Sequence, residues 1–313
     1  MDHQPVLLEE MLQYLAPVDN ETYIDATFGA GGYSSAILDK CKCNIIAIDR
    51  DKNVMQHADK LAKQYPSNFT FINERFSMLK QICAELKIDK LHGIVMDLGV
   101  SSMQLDQAER GFSFNKAGPL NMDMGQSDRR AIDLINNEDE KILADIIYNF
   151  GDERNSRAIA RNIVKQREIL GEITTTEQLS EIISAVNKKS KDGIHPATKT
   201  FQAIRIWVNQ ELEEIHQALE AAKLLLEENG RLVVITFHSI EDKIVKDFLR
   251  KHSGYTNSPS RYQPYINDNV NEKAFKIITR KAVKPTDGEV KNNRRARSAK
   301  LRAGLKIKNN KTN

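Results

Sequence analysis

The chain has 313 residues, 40% hydrophobic and 28% charged, enough to bury one large α/β core with an insertion or two smaller cores. No run of 18 apolar residues occurs, the start MDHQPVLLEE lacks the basic-then-apolar pattern of a secretory leader, and Cys41, Cys43 and Cys83 are too few for a disulfide framework or a four-ligand zinc site, so a cytoplasmic protein with ordinary thiols is expected. The net charge of +3 hides a polarity, because residues 280–313 carry twelve Lys or Arg against Asp287 and Glu289 and leave the remainder at −7; such a tail suits a polyanionic partner, with a solvated tail as the alternative.

Five short, apolar, β-branched runs are predicted as strands: YIDATFG at 23–29, NIIAIDR at 44–50, FTFINE at 69–74, GIVMDLG at 93–99 and RLVVITF at 231–237. Helical patterns such as SSAILDK and VMQHADKLAKQY separate the first four, which predicts a doubly wound, Rossmann-like α/β sheet. FKIITRKAV at 275–283 supplies a late extended segment for the sheet edge. More than 130 residues separate Gly99 from Arg231, too many for one crossover helix. The stretch Asp106–Asp128 has no period, whereas KILADIIYNF and EQLSEIISAV within 133–187 are helical, so residues 106–195 are read as an inserted helical subdomain between main-domain parts 1–105 and 196–313. The return segment from Pro196 to Gly230 is predicted as a helix that ends at Gly230, with Phe201, Ile204, Val208, Leu212, Ile215 and Leu219 as its buried stripe.

The first strand runs into Gly29-Ala30-Gly31-Gly32-Tyr33-Ser34. A dinucleotide fingerprint needs a third glycine where Ser34 stands, and a phosphate loop needs a lysine that is absent. Asp25 at the end of the strand also argues against a phosphate ligand. Asp49, twenty residues beyond Gly29, is placed to accept hydrogen bonds from a ribose, the alternative being a helix N-cap. Asp97 ends the fourth strand at the edge where open α/β sheets bind ligands, and TFHSIED ends the fifth on the same edge. There Ser239 and Asp242 fit a capping box, and His238 faces either substrate or core.

The segments HQPVLLEEM, YIDATFGAGGYS, AIDRD, MDLGVSSMQLD, ERGFSF, GPLNM, HPATKTFQAIRIWVNQELEEI, GRLVVITFHSIEDKIVK and RARSAKLR, in this order from His3 to about Arg302, resemble the bacterial ribosomal small-subunit RNA (cytosine-N4) methyltransferases. The resemblance implies a class I S-adenosylmethionine-dependent fold, S-adenosylmethionine as methyl donor, and a decoding-centre cytosine, cytosine 1402 of 16S rRNA, as acceptor. It implies Gly31, Gly32 and Tyr33 around the methionine part of the donor, Asp49 on the ribose, Phe76 beside the adenine, and Asp97 and Gln104 along the rest of the pocket. Phe114, Arg205, His238 and Arg295 fall on the expected substrate side. The sequence departs from the family at Tyr33, where histidine is common, at Ala117, where an acid is usual, and at Asn121-Met122-Asp123, where Asp-Met-Arg is expected.

The lone pair of a cytosine amine is delocalised into the ring, so positioning and a hydrogen-bond acceptor carry the expected catalysis, with the Asp97 carboxylate or the Leu98 carbonyl as the acceptor. No metal is expected, since the sulfonium is already activated. Phe112, Phe114 and Trp207 are the candidates for stacking on an unstacked base. Arg154, Arg157, Arg161 and Lys165 share a predicted helix face opposite Ile159, Ile163 and Leu170, and Thr198, Gln202, Arg205 and Asn209 form a polar stripe on the return helix. The expected partner is 16S rRNA in the small ribosomal subunit, with a homodimer left open. A DNA or protein amino-methyltransferase and a non-catalytic RNA-binding assembly factor are the rival readings.

Overall fold

The computed structural model describes residues 5–114, 116–187, 193, 195–254 and 273–308. The chain divides into two compact units, Met1–Gly99 with Glu213–Asn313, and Val100–Leu212. The first begins with α1 (Leu8–Leu15), β1 (Thr22–Asp25), α2 (Gly32–Lys40), β2 (Asn44–Ile48), α3 (Met55–Gln64), β3 (Phe69–Ile72), α4 (Leu79–Glu85) and β4 (Leu91–Asp97). The second holds α5 (Ser102–Asp106), α6 (Ala131–Asn137), α7 (Glu140–Gly151), α8 (Ser156–Leu170), α9 (Thr176–Val186) and α10 (Thr198–Asn209). The chain continues through α11 (Glu211–Leu225), β5 (Leu226–Thr236), α12 (Ser239–Lys251), β6 (Phe275–Ile277), α13 (Asp287–Asn292) and β7 (Lys300–Lys306).

The hydrogen-bonded strand order is β3-β2-β1-β4-β5-β7-β6. The first five are parallel, and β7 runs antiparallel to both β5 and β6. The apolar runs explain the order: Ile24 sits opposite Ile46 on one side and Ile94 on the other, and Ile94 sits opposite Leu232, so the central strands are buried on both faces. The chain order reverses between β1 and β4, and that switch point collects the carboxyl ends that carry Asp25 and Asp97.

The predicted strands coincide with β1 to β5, and FKIITRKAV contributes the edge strand β6. The basic tail is more structured than its charge implies. Leu301 and Ala303 are fully buried in β7 while Lys300, Arg302 and Lys306 alternate with them, a period-2 pattern outweighed by the cations when read from sequence. The predicted return helix is two helices, because Gln210 takes a left-handed conformation (φ 53°) that ends α10. Phe201, Ile204, Val208, Ile215 and Leu219 are buried as predicted and Leu212 is half-buried, but the stripe is shared between α10 and α11. The helix also stops at Leu225 rather than at Gly230. β5 starts there, passes through Asn229 at φ 69°, and shifts register against β4 before Arg231 pairs with Gly93.

The second unit is a helical core of its own, in which Ile135, Leu143, Ile147, Ile159, Ile163, Leu179, Ile183 and Phe201 form one buried cluster. This unit takes in α10 and extends to Leu212, whereas the sequence reading placed its end at residue 195. Phe201, Ile204 and Val208 explain the difference, because they belong to this helical core. Arg154, Arg157, Arg161 and Lys165 are all exposed, and Arg161 lies 3.5 Å from Glu140. Ile159 and Ile163 are buried opposite them, but Leu170, at the end of α8, is 73% exposed.

Candidate active site

The glycine turn is built by its own packing before any ligand is considered. Gly29 and Gly31 have φ values of 55° and 80°, and the Gly31 N–H donates to the Phe28 carbonyl at 2.8 Å. A Cβ at Gly31 would lie 2.8 Å from the Phe28 ring and one at Gly32 2.2 Å from Pro5, whereas at Gly29 nothing comes nearer than 4.0 Å. The open face of the turn is therefore at Gly29. Ser34, where a dinucleotide fold has its third glycine, donates its hydroxyl to the Asp25 carboxylate at 2.7 Å and ties α2 to the end of β1. Burial pushes the Asp25 carboxyl up to about 6, against the opposing pull of the Ser34 and Thr27 hydrogen bonds.

Asp49 follows β2, and its two oxygens accept the backbone N–H groups of Gly29 and Asp51, each at 2.8 Å. Each oxygen keeps a lone pair for a further donor. Burial pushes its carboxyl up to about 6, opposed by those two hydrogen bonds. Asp97 ends β4 with its N–H on the Thr27 hydroxyl at 2.6 Å. Its Oδ1 is sealed from solvent without a hydrogen-bond partner among the described residues. Burial, and then the charges of Asp25 and Glu241, hold the Asp97 carboxyl well above the usual range, with the Tyr33 hydroxyl acting the other way.

Tyr33, buried at the start of α2, donates its hydroxyl to the Val6 carbonyl, and the Leu7 N–H donates to Glu289 on α13 at 2.7 Å. Pro5–Leu7 is thereby fastened across the glycine turn, a role the motif HQPVLLEEM did not disclose. Phe76 is half-buried in a short 3-10 turn after β3. That turn is anchored by the Ser77 N–H and the Arg75 guanidinium, which reach the Glu214 carboxylate at 3.3 and 3.4 Å.

Asp25, Asp49 and Asp97 stand along one sheet edge, and no Lys or Arg pairs with them among the described residues. Such an edge repels phosphates and favours a ligand that brings positive charge and hydroxyl donors. A sulfonium with an adenosine ribose fits that donor set; a dinucleotide pyrophosphate does not. When bound, the sulfonium supplies an activated methyl group, while the chain supplies the acceptors.

Other predicted residues have structural partners. Gln104 is buried and completes a capping box with Ser101 at the start of α5, its Oε1 accepting the Ser101 N–H at 2.9 Å. Phe114 stacks on His195 (4.5 Å, 14°) and meets Phe201 edge-on, Phe112 lies in the helical core, and Arg129 covers Trp207 at 4.9 Å. Arg205 makes a bidentate pair with Glu211 at 2.7 and 2.8 Å. Its neighbours on the stripe are engaged too: Gln202 donates to the Phe150 carbonyl, and Asn209 clasps both the Met122 carbonyl and the Met124 N–H. Asn209 thus orders the loop in which Asn121 and Asp123 depart from the expected pattern. The capping box of α12 is His238 with Glu241, not Ser239 with Asp242: the His238 Nδ1 accepts the Glu241 N–H, and Glu241 reaches back to the Phe237 and His238 N–H groups. Asp242 instead holds Arg302 at 2.6 Å and Lys300 at 3.2 Å. Arg295 is exposed in a 3-10 turn before β7. Among the described residues no cluster of three or more His, Cys, Asp or Glu could hold a metal, and no helix is long and apolar enough to cross a membrane. The three cysteines are free, and burial pushes the Cys43 thiol up to about 12 and the Cys83 thiol to about 11.

The seven-stranded order with antiparallel β7 between β5 and β6, joined to this acidic edge, defines a class I S-adenosylmethionine-dependent methyltransferase. The chain belongs to the MraW methylase family, which matches residues 1–307. It is 48% identical over 309 residues to the "Ribosomal RNA small subunit methyltransferase H" of Orientia tsutsugamushi (strain Ikeda), spanning 97% of this chain and 98% of the relative. The protein of the same name from Rickettsia massiliae (strain Mtu5) is 49% identical over 308 residues, with coverage of 97% and 98%. Among solved structures, an rRNA methylase from Streptococcus thermophilus is 10% identical, with a TM-score of 0.44 and coverage of 98% and 99%.

Proposed function

We propose that this methyltransferase acts on small-subunit ribosomal RNA and methylates the exocyclic N4 of a cytosine, cytosine 1402 in the decoding centre. The observation that carries the chemistry is Asp97, a carboxylate at the β4 edge whose sealed Oδ1 has no hydrogen-bond partner among the described residues. With that oxygen unpaired, the carboxylate is suited to the amine of a base as positive charge develops on it. The near end-to-end identity to relatives named for ribosomal RNA methylation supports the substrate class.

In this reading Asp49 accepts the ribose hydroxyls, the backbone of Gly31, Gly32 and Tyr33 borders the methionine part of the donor, and Phe76 lies against the adenine. Gln104 acts through its capping box, which fixes the chain just after Asp97 and Leu98. The helical unit recognises RNA, with the exposed Arg154, Arg157, Arg161 and Lys165 as phosphate contacts. Arg205, locked to Glu211, positions the α10–α11 junction rather than touching substrate. Such a substrate places the activity in the cytoplasm. Tritium transfer from labelled donor to small ribosomal subunits, free 16S RNA, DNA and bulk protein tests the reading. Transfer to subunits or their RNA is expected, and transfer only to DNA or protein would overturn it.

A further inference from the structure

One strand beyond Asp97, the carboxyl end of β5 opens into a cavity of about 280 Å³ lined by Phe237, His238, Ser239, Lys284, Arg297 and Lys300, with Ser298 at its wall. The walls come from three separate segments: the start of α12, the extended stretch after β6, and the turn leading into β7. Three of the lining residues are cationic and none is acidic. Lys300 is partly neutralised by Asp242, but Lys284 and Arg297 are exposed and form no ion pair among the described residues. The floor is the first turn of the 13-residue helix α12. His238 occupies the Glu241 N–H, while the N–H groups of Ser239 and Ile240 have no acceptor among the described residues. Hydroxyls of Ser239 and Ser298 border the same space. Free amides, a helix dipole, two hydroxyls and converging cations make an anion site.

We propose that this cavity receives a backbone phosphodiester of the substrate RNA next to the target nucleotide, held by Lys284, Arg297, Lys300 and the first amides of α12. The inference rests on the RNA reading above, and its position favours RNA over a free anion. β5 neighbours β4, so at a strand spacing of about 4.8 Å the cavity stands roughly 10 Å from the glycine turn, with Asp97 between them. A base presented to Asp97 leaves its own backbone on this side. The acidic edge at Asp25, Asp49 and Asp97 turns phosphates away from the donor pocket, and the cavity beside it attracts them. The two charge patterns together orient the nucleotide base-first toward Asp97.

The test uses the full chain and the double variant Lys284→Ala/Arg297→Ala, whose exposed positions leave the core intact. Binding of a short single-stranded oligoribonucleotide is measured against salt, with donor affinity as the control for folding. Removing two phosphate contacts is expected to flatten the log K against log salt slope by about 1.4 and to weaken binding about tenfold at moderate salt. In steady state the KM for small subunits rises while kcat at saturation stays within about twofold. An unchanged slope and affinity would overturn the proposal. So would competition by inorganic phosphate as effective in the variant as in the parent, or phosphate binding as tight as that of the oligonucleotide. Parent and variant are scored for methyl transfer in the same preparation. A parent that binds RNA with the expected slope difference but transfers nothing would sink the functional reading and leave the cavity standing.

Discussion

Replacing Asp97 by Asn should make the protein more stable and less active at once. The wild-type carboxyl is buried beside Asp25 and Glu241, and its Oδ1 lacks a partner, an arrangement that costs about 1–3 kcal/mol for an unsatisfied buried group. Its folded pKa lies well above the ordinary 3.8, so the folded chain holds this proton more tightly than the unfolded chain does. The stability from this group is therefore complete below pH about 3.8 and is lost as pH rises toward the folded value. Asparagine does not titrate. The variant should match the parent near pH 4 and exceed it at pH 7 by about 1.4 kcal/mol for each unit by which the folded pKa exceeds the unfolded one, as read from urea unfolding at both pH values. Over the same change, single-turnover methyl transfer should fall about a hundredfold or more, because an acceptor for developing positive charge has become a neutral amide. Donor affinity should fall much less. A variant that is less stable at pH 7 would make Asp97 a structural carboxylate. One with unchanged stability and an unchanged transfer rate would remove it from the chemistry.

Three other substitutions separate binding from scaffold. Asp49→Ala should weaken donor binding by about 2 kcal/mol by calorimetry, through lost ribose acceptors and a loosened Gly29. Because the wild-type Asp49 carboxyl sits at about 6 and an ionised acceptor suits a cationic donor, donor affinity should fall up to about fivefold between pH 6 and pH 5, with less dependence on pH in Asp49→Asn. A flat wild-type profile would contradict this. Arg205→Ala strips the partner from the buried Glu211 and should destabilise the protein by about 3 kcal/mol in denaturant. Direct RNA contact by Arg205 would show instead as a flattened salt slope at unchanged stability. Asp242→Ala should cost about 3 kcal/mol by releasing Arg302 and Lys300. Burial opposes the Asp242 charge, but those two cations hold its carboxyl below the ordinary range, so its contribution is present above pH about 3.8 and lost as pH falls through the lowered folded value.

The sheet was legible in the sequence because parallel strands buried on both faces read as continuous apolar runs, and those runs end in acids at the carboxyl edge of the sheet. Asp25, Asp49 and Asp97 were visible for that reason. β7 was hidden because a strand carrying alternate Lys and Arg has the composition of a solvated tail, and only the pairing of Val233 with Ala303 and Ile235 with Leu301 reveals it. Arg205 was read with a polar stripe and not with Glu211, because Glu211 is six residues away, a spacing that does not meet on one helix. The left-handed Gln210, with no glycine or proline to announce it, brings the two side chains together. The aromatic candidates carried a weaker signal. Phe112, Phe114 and Trp207 were chosen for chemistry that any packed ring also satisfies, and the ring partners of Phe114 (Phe201, His195) and of Trp207 (Arg129) lie far away in sequence. Ser34 carried a signal that was read only negatively: it excludes a dinucleotide, and it also holds the Asp25 carboxylate in place.

The central claim is methylation of a cytosine amine in small-subunit ribosomal RNA, and the most direct measurement is the identity of the modified nucleoside. Small subunits labelled by the purified chain are digested to nucleosides, and the labelled product is separated by chromatography and mass. The account predicts N4-methylcytidine from one site in 16S RNA, formed by the parent and reduced about a hundredfold or more with Asp97→Asn. Label in a ring-carbon or ribose methyl group, or an undiminished yield from Asp97→Asn, would contradict it.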